Sequence, residues 1–454
     1  MRPQPVSLVG GGLAGALLTI LLARRGFAVT VYERRHDPRH TASDSGRSIN
    51  LALAARGIRA LEHAGIMERV RPLMIPMRGR MIHEPGRAPA LQLYGQREHE
   101  VIYSVGRAAL NRLLIEEALR SPLVTLRFAM HCLGADVPRD LLRLRDELEA
   151  SRNSGDAPER YDTRLTPTIA ADGAGSAVRD SLQSAGLTAV REDPLDHDYK
   201  ELTLPPRGGS FALEPHALHI WPRHGFMLIA LPNTDCSFTA TLFLPRTGSV
   251  SFAALRDDRA VEEFFAREFP DALPLLPHLL TEFRSHPQGR MGSVHATAWH
   301  AAGHVLLLGD AAHAIVPFHG QGMNAAFEDC LVLDGLLARH AEWETLFSEF
   351  ESERRPNAAA IAQMAIENYG EMRERVLDAS YLRQQHWARE LERHFPERFI
   401  PRYSMVMFHP EISYSEALRR GSVQQAILDE LARHAPRGAA LDLQLAARLI
   451  RERL

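Results

Sequence analysis

Three glycine-containing segments carry residue types that could do chemistry, and each follows a run of apolar residues. The first is Gly10-Gly11-Gly12-Leu13-Ala14-Gly15. Glycines at this spacing permit a tight turn, let the main chain approach a pyrophosphate, and bring a following helix close to the preceding strand. Gly10, Gly12, Ala14 and Gly15 are therefore candidates for a dinucleotide cradle. Glu33, about twenty residues further on, is placed to accept hydrogen bonds from ribose hydroxyls. Alone, the motif does not separate NAD from FAD, and a glycine-rich turn with no ligand is its plain alternative. The second segment runs from Asp172-Gly173-Ala174-Gly175 to Arg179. It sets a carboxylate, Asp172, and flexible backbone at the carboxyl end of a strand, where ligands bind in α/β sheets; an ordinary Asp-Gly turn reads the same way. The third is Gly309-Asp310-Ala311-Ala312-His313, leading into Pro317-Phe318-His319-Gly320-Gln321-Gly322-Met323-Asn324. Asp310 could bind sugar hydroxyls, while a helix opening near Gly322 and Met323 would aim its positive N-terminus at a flat ring carrying negative charge. His313 has no partner at ligand spacing and reads as structural.

The elements that must position these residues follow from the apolar pattern. Pro5 to Val9 reads as a buried strand, Gly10 to Gly15 as a turn, Ala16 to Arg25 as a helix and Ala28 to Glu33 as a second strand, which makes a βαβ unit. Pro167 to Ala171 and Val305 to Leu308 are further short strands. From Asp136 to Arg164 the chain turns charged and rich in Pro, Ser and Gly, as inserted hairpins or loops would. Ala217 to Trp221, Phe226 to Leu231 and Ser237 to Phe243 belong to a second, sheet-based domain that covers the substrate. After Gly322 the chain reads as mostly helical, with periodic apolar residues through Ala325 to Leu337 and Ile427 to Leu449.

Composition excludes several classes of function. The 454 residues carry 53 Lys and Arg against 56 Asp and Glu, a formal net charge of -3, with no basic stripe to follow a phosphate backbone. Nucleic acid is thus not an expected partner. Cys132, Cys236 and Cys330 lie far apart without metal-ligand spacing, which suits a reducing compartment and a cytoplasmic location. The apolar stretch Val6 to Ala23 is broken by three glycines and reads as strand, turn and helix rather than as a signal peptide. No other apolar run approaches membrane-spanning length, and the last residues are rich in Arg, so no membrane anchor is expected.

The three segments, in this order and at these separations, resemble the flavoprotein aromatic hydroxylase family, typified by para-hydroxybenzoate hydroxylase, and the resemblance covers nearly the whole chain. It implies an α/β fold: a Rossmann-like FAD-binding domain in discontinuous segments (1–75, 100–190 and 290–340), an α+β sheet domain for the substrate (76–99 and 191–289) and a helical C-terminal region (341–454). It implies non-covalent FAD, NADPH as co-substrate, and insertion of one atom of O2 into an aromatic ring through a flavin hydroperoxide. Gly46 to Leu53, Met77 to His83, Tyr199 to Leu202 and the run Gly309 to Asp329 are similar to one branch of the family, which acts on an aromatic amino acid. Carried over by motif, Arg80, Tyr94, Asn368 and Tyr403 meet the amino-acid end, Glu371 lies close by, and Phe318 and His319 stand beside the ring. The resemblance gives FAD the contacts Glu33, Arg34, Ala52, Arg107, Asp172, Asp310, Gly322, Met323 and Asn324 besides the glycine turn. No general base is assigned. A hydroxylase of another aromatic acid, and a flavin-free binding module of the same fold, are the rival readings.

Overall fold

The computed structural model describes residues 2–40, 50–147, 160–372, 378–434 and 440–454. The motif segment Gly46 to Ile49 and part of the charged insertion lie outside them.

Two large sheets organise the chain. The first has six strands in the order His300–Ala301, Val305–Leu307, Thr168–Ala170, Val6–Val9, Val29–Glu33 and Val124–Phe128. All neighbours are parallel except the first pair. Its central strands are apolar on both faces, as a parallel sheet covered by helices requires. One layer is the Leu13–Arg24 helix, nine of whose residues are buried. The Gly322–Arg339 and Arg107–Ala118 helices pack against it, and the interior is continuous through Leu8, Leu17, Ile169, Leu306 and Phe327.

The second sheet has seven strands in the order Gly289–Ala296, Val190–Leu204, Phe238–Pro245, Phe226–Pro232, Ala217–Arg223, Gly79–Ile82 and Ala90–Leu93. It is antiparallel except where Ala217–Arg223 meets Gly79–Ile82. One of its faces packs on the Asp258–Glu268 helix through Trp221, Phe238, Phe264 and Phe265. The other turns Ile82, Ile220 and Phe243 toward Phe318 and Tyr369. The helices Trp343–Gly370, Ala379–His394, Arg402–Phe408, Tyr414–His434 and Leu443–Arg453 form the C-terminal region.

The α/β architecture and the helical end agree with the sequence reading, and the boundaries differ for physical reasons. The first helix begins at Leu13, not Ala16, so Gly15 lies inside it. A Cβ on Gly15 would stand 1.9 Å from the Gly10 carbonyl oxygen, so that glycine serves close approach rather than a turn. The charged insertion contains real strands: Met130–Asp136, Leu141–Asp146 and Arg160–Arg164 form an antiparallel sheet. The apolar periodicity from Ile427 to Leu449 spans two helices. Asp442 starts the second by accepting hydrogen bonds from the amides of Gln444 (3.0 Å) and Leu445 (2.9 Å).

Candidate functional site

At the carboxyl ends of the adjacent parallel strands the structure collects Gly10 to Gly15, Glu33, Asp172 and Asp310. Gly10 adopts φ +100°, and a Cβ there would meet the Ala171 carbonyl oxygen at 2.4 Å. The turn is held from two sides. Asn111, on the helix that Arg107 opens, donates to the Gly11 carbonyl at 3.0 Å, and the Gly11 amide donates to Glu33 Oε2 at 2.7 Å. Glu33 is buried, which raises its pKa. The ion pair with Arg35 and the amides of Arg35 and Gly11 outweigh that effect, so the carboxyl is held below its ordinary value and stays charged.

Whether these residues fit a dinucleotide can be tested on the space they leave. A Cβ on Gly12, Gly173 or Gly175 would meet nothing within 4 Å, so backbone on two neighbouring strand ends borders open room. Asp172 Oδ1 is buried with no hydrogen-bond partner, and burial raises this carboxyl's pKa. Open glycines and an orphaned acceptor are what a bound nucleotide would cover and satisfy. Arg34, Arg107 and Asp310 are exposed, and Ala14 and Ala52 are half-buried. The residues present fit a bound dinucleotide, FAD included.

The Gly322–Arg339 helix begins where the sequence placed it. Gly322 and Met323 are half-buried in its first turn, and Asn324 is fully buried. The Asn324 side chain bonds to protein: Oδ1 accepts from the Ala54 amide, and Nδ2 donates to the carbonyls of Ala52 and Gly320, each at 2.9 Å. Asn324 thereby fastens the Asn50–Leu53 strand end to the loop that ends at Gly320. Replacing it by Asp would remove both donations and set a carboxylate against two carbonyls. Unsatisfied buried groups cost about 1–3 kcal/mol, so Asn324→Asp is expected to lower the melting temperature by several degrees; an unchanged melting curve would contradict this fastening role.

Beside this loop lies a network that sequence reasoning missed. Asp329 is fully buried and accepts from the Gly309 amide (3.1 Å), His313 Nε2 (2.7 Å) and Arg354 Nε (2.6 Å). Arg354 also reaches Glu328, which pairs with Arg56. His313 stacks on Trp299, with ring centroids 4.9 Å apart, and is part of this structural network. Asp329 and Arg354 are 25 residues apart on different helices, and no local pattern announces the pair.

Next to the loop, a cavity of about 540 Å³ opens between the second sheet and the C-terminal helices. Arg80, Tyr94, His319, Asn368, Glu371 and Tyr403, all named from the sequence, line it together with Tyr381 and Arg402, which were not. The Tyr94 and Tyr403 rings stack 5.6 Å apart, and His319 stacks on Tyr403 at 5.4 Å. The Arg80 guanidinium lies over both tyrosines, 5.7 Å and 5.0 Å from their centres. Arg80 Nε and the Tyr94 hydroxyl are buried without partners. Burial pushes His319 down to about 3, with Arg80 and Arg402 adding to the effect, so this imidazole is neutral. Phe318 does not line the cavity; it stacks on Tyr369 at 3.9 Å and is anchored by Asn368, whose Nδ2 donates to its carbonyl at 2.6 Å. Glu371 accepts from the Tyr381 hydroxyl and from Arg402, both at 3.3 Å. Tyr381 and Arg402 come from the helical end, where charged and aromatic residues look like any solvated face.

A glycine cradle at the ends of a parallel sheet, joined through one loop to a walled cavity, is the arrangement of a dinucleotide-binding protein with room for a second small molecule. Residues 4–365 match the family model described as FAD binding domain. The kynurenine 3-monooxygenase of Stenotrophomonas maltophilia is 47% identical over 426 residues, 94% of this chain and 91% of that one. That of Xanthomonas euvesicatoria is 47% identical over 435 residues, 95% and 93%. The chain belongs to the FAD-dependent hydroxylase family and, within it, groups with the kynurenine 3-monooxygenases. In solved structures the fold matches 2-methyl-3-hydroxypyridine-5-carboxylic acid oxygenase at a TM-score of 0.64 and 19% identity, covering 84% of this chain and 96% of that one. It also matches PqsL of P. aeruginosa in complex with 2-aminobenzoylacetate, at 0.64 and 22%, covering 84% and 100%. Among the described residues no helix is long and apolar enough to cross a membrane, and no group of three or more His, Cys, Asp or Glu could hold a metal.

Proposed function

We propose that the cavity takes L-kynurenine and that the chain hydroxylates it to 3-hydroxy-L-kynurenine with NADPH and O2. The observation that carries the substrate reading is Arg80, half-buried, with its guanidinium over two tyrosine rings and its Nε buried without a partner. A planar, permanently charged fork in a dry pocket suits a carboxylate, which it can bind in two-pronged fashion. Tyr94, Tyr403 and Asn368 complete the amino-acid end, Glu371 stands near the ammonium, and His319 would stand beside the aromatic part, while Phe318, packed on Tyr369, supports the loop behind it.

Bound FAD would supply the hydride acceptance from NADPH and the O2 activation, the hard part of the chemistry. Gly10, Gly12, Ala14 and Gly15 hold its pyrophosphate, and Glu33 its ribose. Arg34, Ala52, Arg107, Asp172 and Asp310 line the rest. The amides of Gly322, Met323 and Asn324 turn the helix N-terminus toward negative charge on the ring. The cavity's share is position and exclusion of water. Kynurenine's aryl amine enriches its ortho carbon, so the ring needs no strong base, and a neutral His319 is compatible with that. The two sheets, each with its own apolar layer, support the division into 1–75, 100–190 and 290–340 for FAD, 76–99 and 191–289 for substrate, and 341–454 as the helical region. Three free cysteines support a cytoplasmic location.

The test is which aromatic compounds accelerate NADPH oxidation: L-kynurenine is expected to do so, and simple aromatic acids lacking an amino-acid end are not. The reverse order would move the chain to another aromatic acid. Tyr94→Phe removes one neutral hydrogen bond, worth about 0.5–1.5 kcal/mol, so a two- to tenfold rise in the kynurenine dissociation constant is expected by flavin-fluorescence titration. No change would take the hydroxyl out of the carboxylate site.

A further inference from the structure

The second sheet has a face turned away from the cavity, and it holds a buried polar row. Arg80, Ile82 and Ile220 point to the cavity side, and alternation along the paired strands sends His83, His219 and Trp221 to the other. There Asp271 Oδ2 lies 3.2 Å from His83 Nδ1, His83 Nε2 lies 2.9 Å from His219 Nδ1, and His219 Nε2 lies 2.9 Å from the Glu214 carbonyl oxygen. Both imidazoles are buried, at 5% and 1% exposure. Each end of the row is an oxygen that accepts. Three contacts in line need three hydrogens, whereas two neutral imidazoles bring two. Whichever contact went without would set a lone pair of a buried imidazole nitrogen against another lone pair, an unmade bond with a desolvation cost.

We propose that His83, His219 and Asp271 share one proton beyond those of two neutral imidazoles, with His83 doubly protonated, and that this clamp positions Arg80 by fastening the strand that carries it. The His83 amide already donates to the Ile220 carbonyl at 2.9 Å, so the clamp continues the ladder one residue past Ile82. Asp271, which also accepts from Trp221 Nε1 at 2.7 Å, is half-exposed; it supplies the balancing charge and a route for the proton to solvent. Arg223 faces the row with the opposite influence, donating to the His83 carbonyl at 3.2 Å and to that of Glu268 at 2.7 Å. Glu214 takes part through its carbonyl, and Trp221 and Phe238 enclose the rings without adding a titrating group. Burial lowers both imidazoles, His219 to about 4, while Asp271 opposes that effect at His83. His83 is still held below its ordinary value, and it is the hydrogen count and the contact with the Asp271 carboxylate that place the added proton there. The sign follows: the clamp is complete below the row's own pKa and opens as pH rises through it.

The proton count stands by itself, and the role of Arg80 rests on the cavity reading above. Asp271→Asn separates the two. The oxygen that faces His83 Nδ1 also accepts from Trp221 Nε1; the variant keeps that bond through its amide oxygen and removes the charge that balances a doubly protonated His83, so both rings are expected to be neutral. In ¹⁵N-histidine spectra of the FAD-loaded protein at neutral pH, one imidazole with both nitrogens protonated is expected. It should be identified by its loss in His83→Gln, and it should turn neutral in Asp271→Asn. Two neutral rings in the parent would overturn the shared proton, and the parent spectrum decides this even where a variant fails to fold. The KM for L-kynurenine should rise severalfold on the alkaline side in the parent, with kcat held, and should lose that rise in Asp271→Asn. A protonated His83 with identical KM profiles would overturn the positioning role. Absence of kynurenine turnover in the parent would sink the cavity reading and leave the proton count intact.

Discussion

Gly12→Val protein is expected to fold and to purify colourless. A side chain at Gly12 meets no protein atom within 4 Å, whereas one at Gly10 or Gly15 would lie 2.4 Å or 1.9 Å from a carbonyl oxygen. Substitution at Gly10 or Gly15 therefore tests the fold, and substitution at Gly12 tests the space in front of it. Valine there occupies the path of the pyrophosphate and blocks amide bonds to phosphate, each worth on the order of 1.5–3 kcal/mol. Loss of two of them corresponds to at least a hundredfold weaker flavin binding. Parent-like melting of the apoprotein with no visible flavin absorbance is the expected pair of results. Full flavin occupancy would mean that the turn does not face the cofactor.

Arg80→Ala should raise the kynurenine dissociation constant by roughly ten- to a hundredfold while FAD stays bound, because a charge-assisted bond in a buried site contributes about 1.5–3 kcal/mol. Arg80→Lys should recover part of that, since an ammonium keeps the charge and loses the fork. The fold has little reason to suffer, because Arg80 is absent from the ion pairs of the described residues and meets tyrosine faces. Parent-like binding in Arg80→Ala would place the carboxylate elsewhere.

The nucleotide half of the site was legible because its signals are local: glycine spacing, an acid at a strand end, and a helix start after a glycine loop. What the pattern misplaced was one boundary: Gly15 lies inside the helix rather than in the turn, where it allows the close helix–strand approach that the spacing implied. The cavity was legible through resemblance more than through pattern. Arg80, Tyr94 and Tyr403 come from a strand, a strand end and a helix more than three hundred residues downstream, and nothing in their neighbours reveals that they converge. Asp329 was hidden by its place in a helix of ordinary periodicity, and its burial is explained only once Arg354 and His313 are seen to surround it. The helical end was read as one periodic run to Leu449 because apolar spacing survives the break that Asp442 marks.

Purified protein supplied with L-kynurenine, NADPH and oxygen tests the account most directly, with the product identified by mass and by its ring-substitution pattern. The expected result is yellow protein whose NADPH oxidation is accelerated by L-kynurenine and yields 3-hydroxy-L-kynurenine, with one oxygen atom derived from O2. Colourless protein, or yellow protein that leaves L-kynurenine unchanged while hydroxylating another aromatic acid, would contradict it.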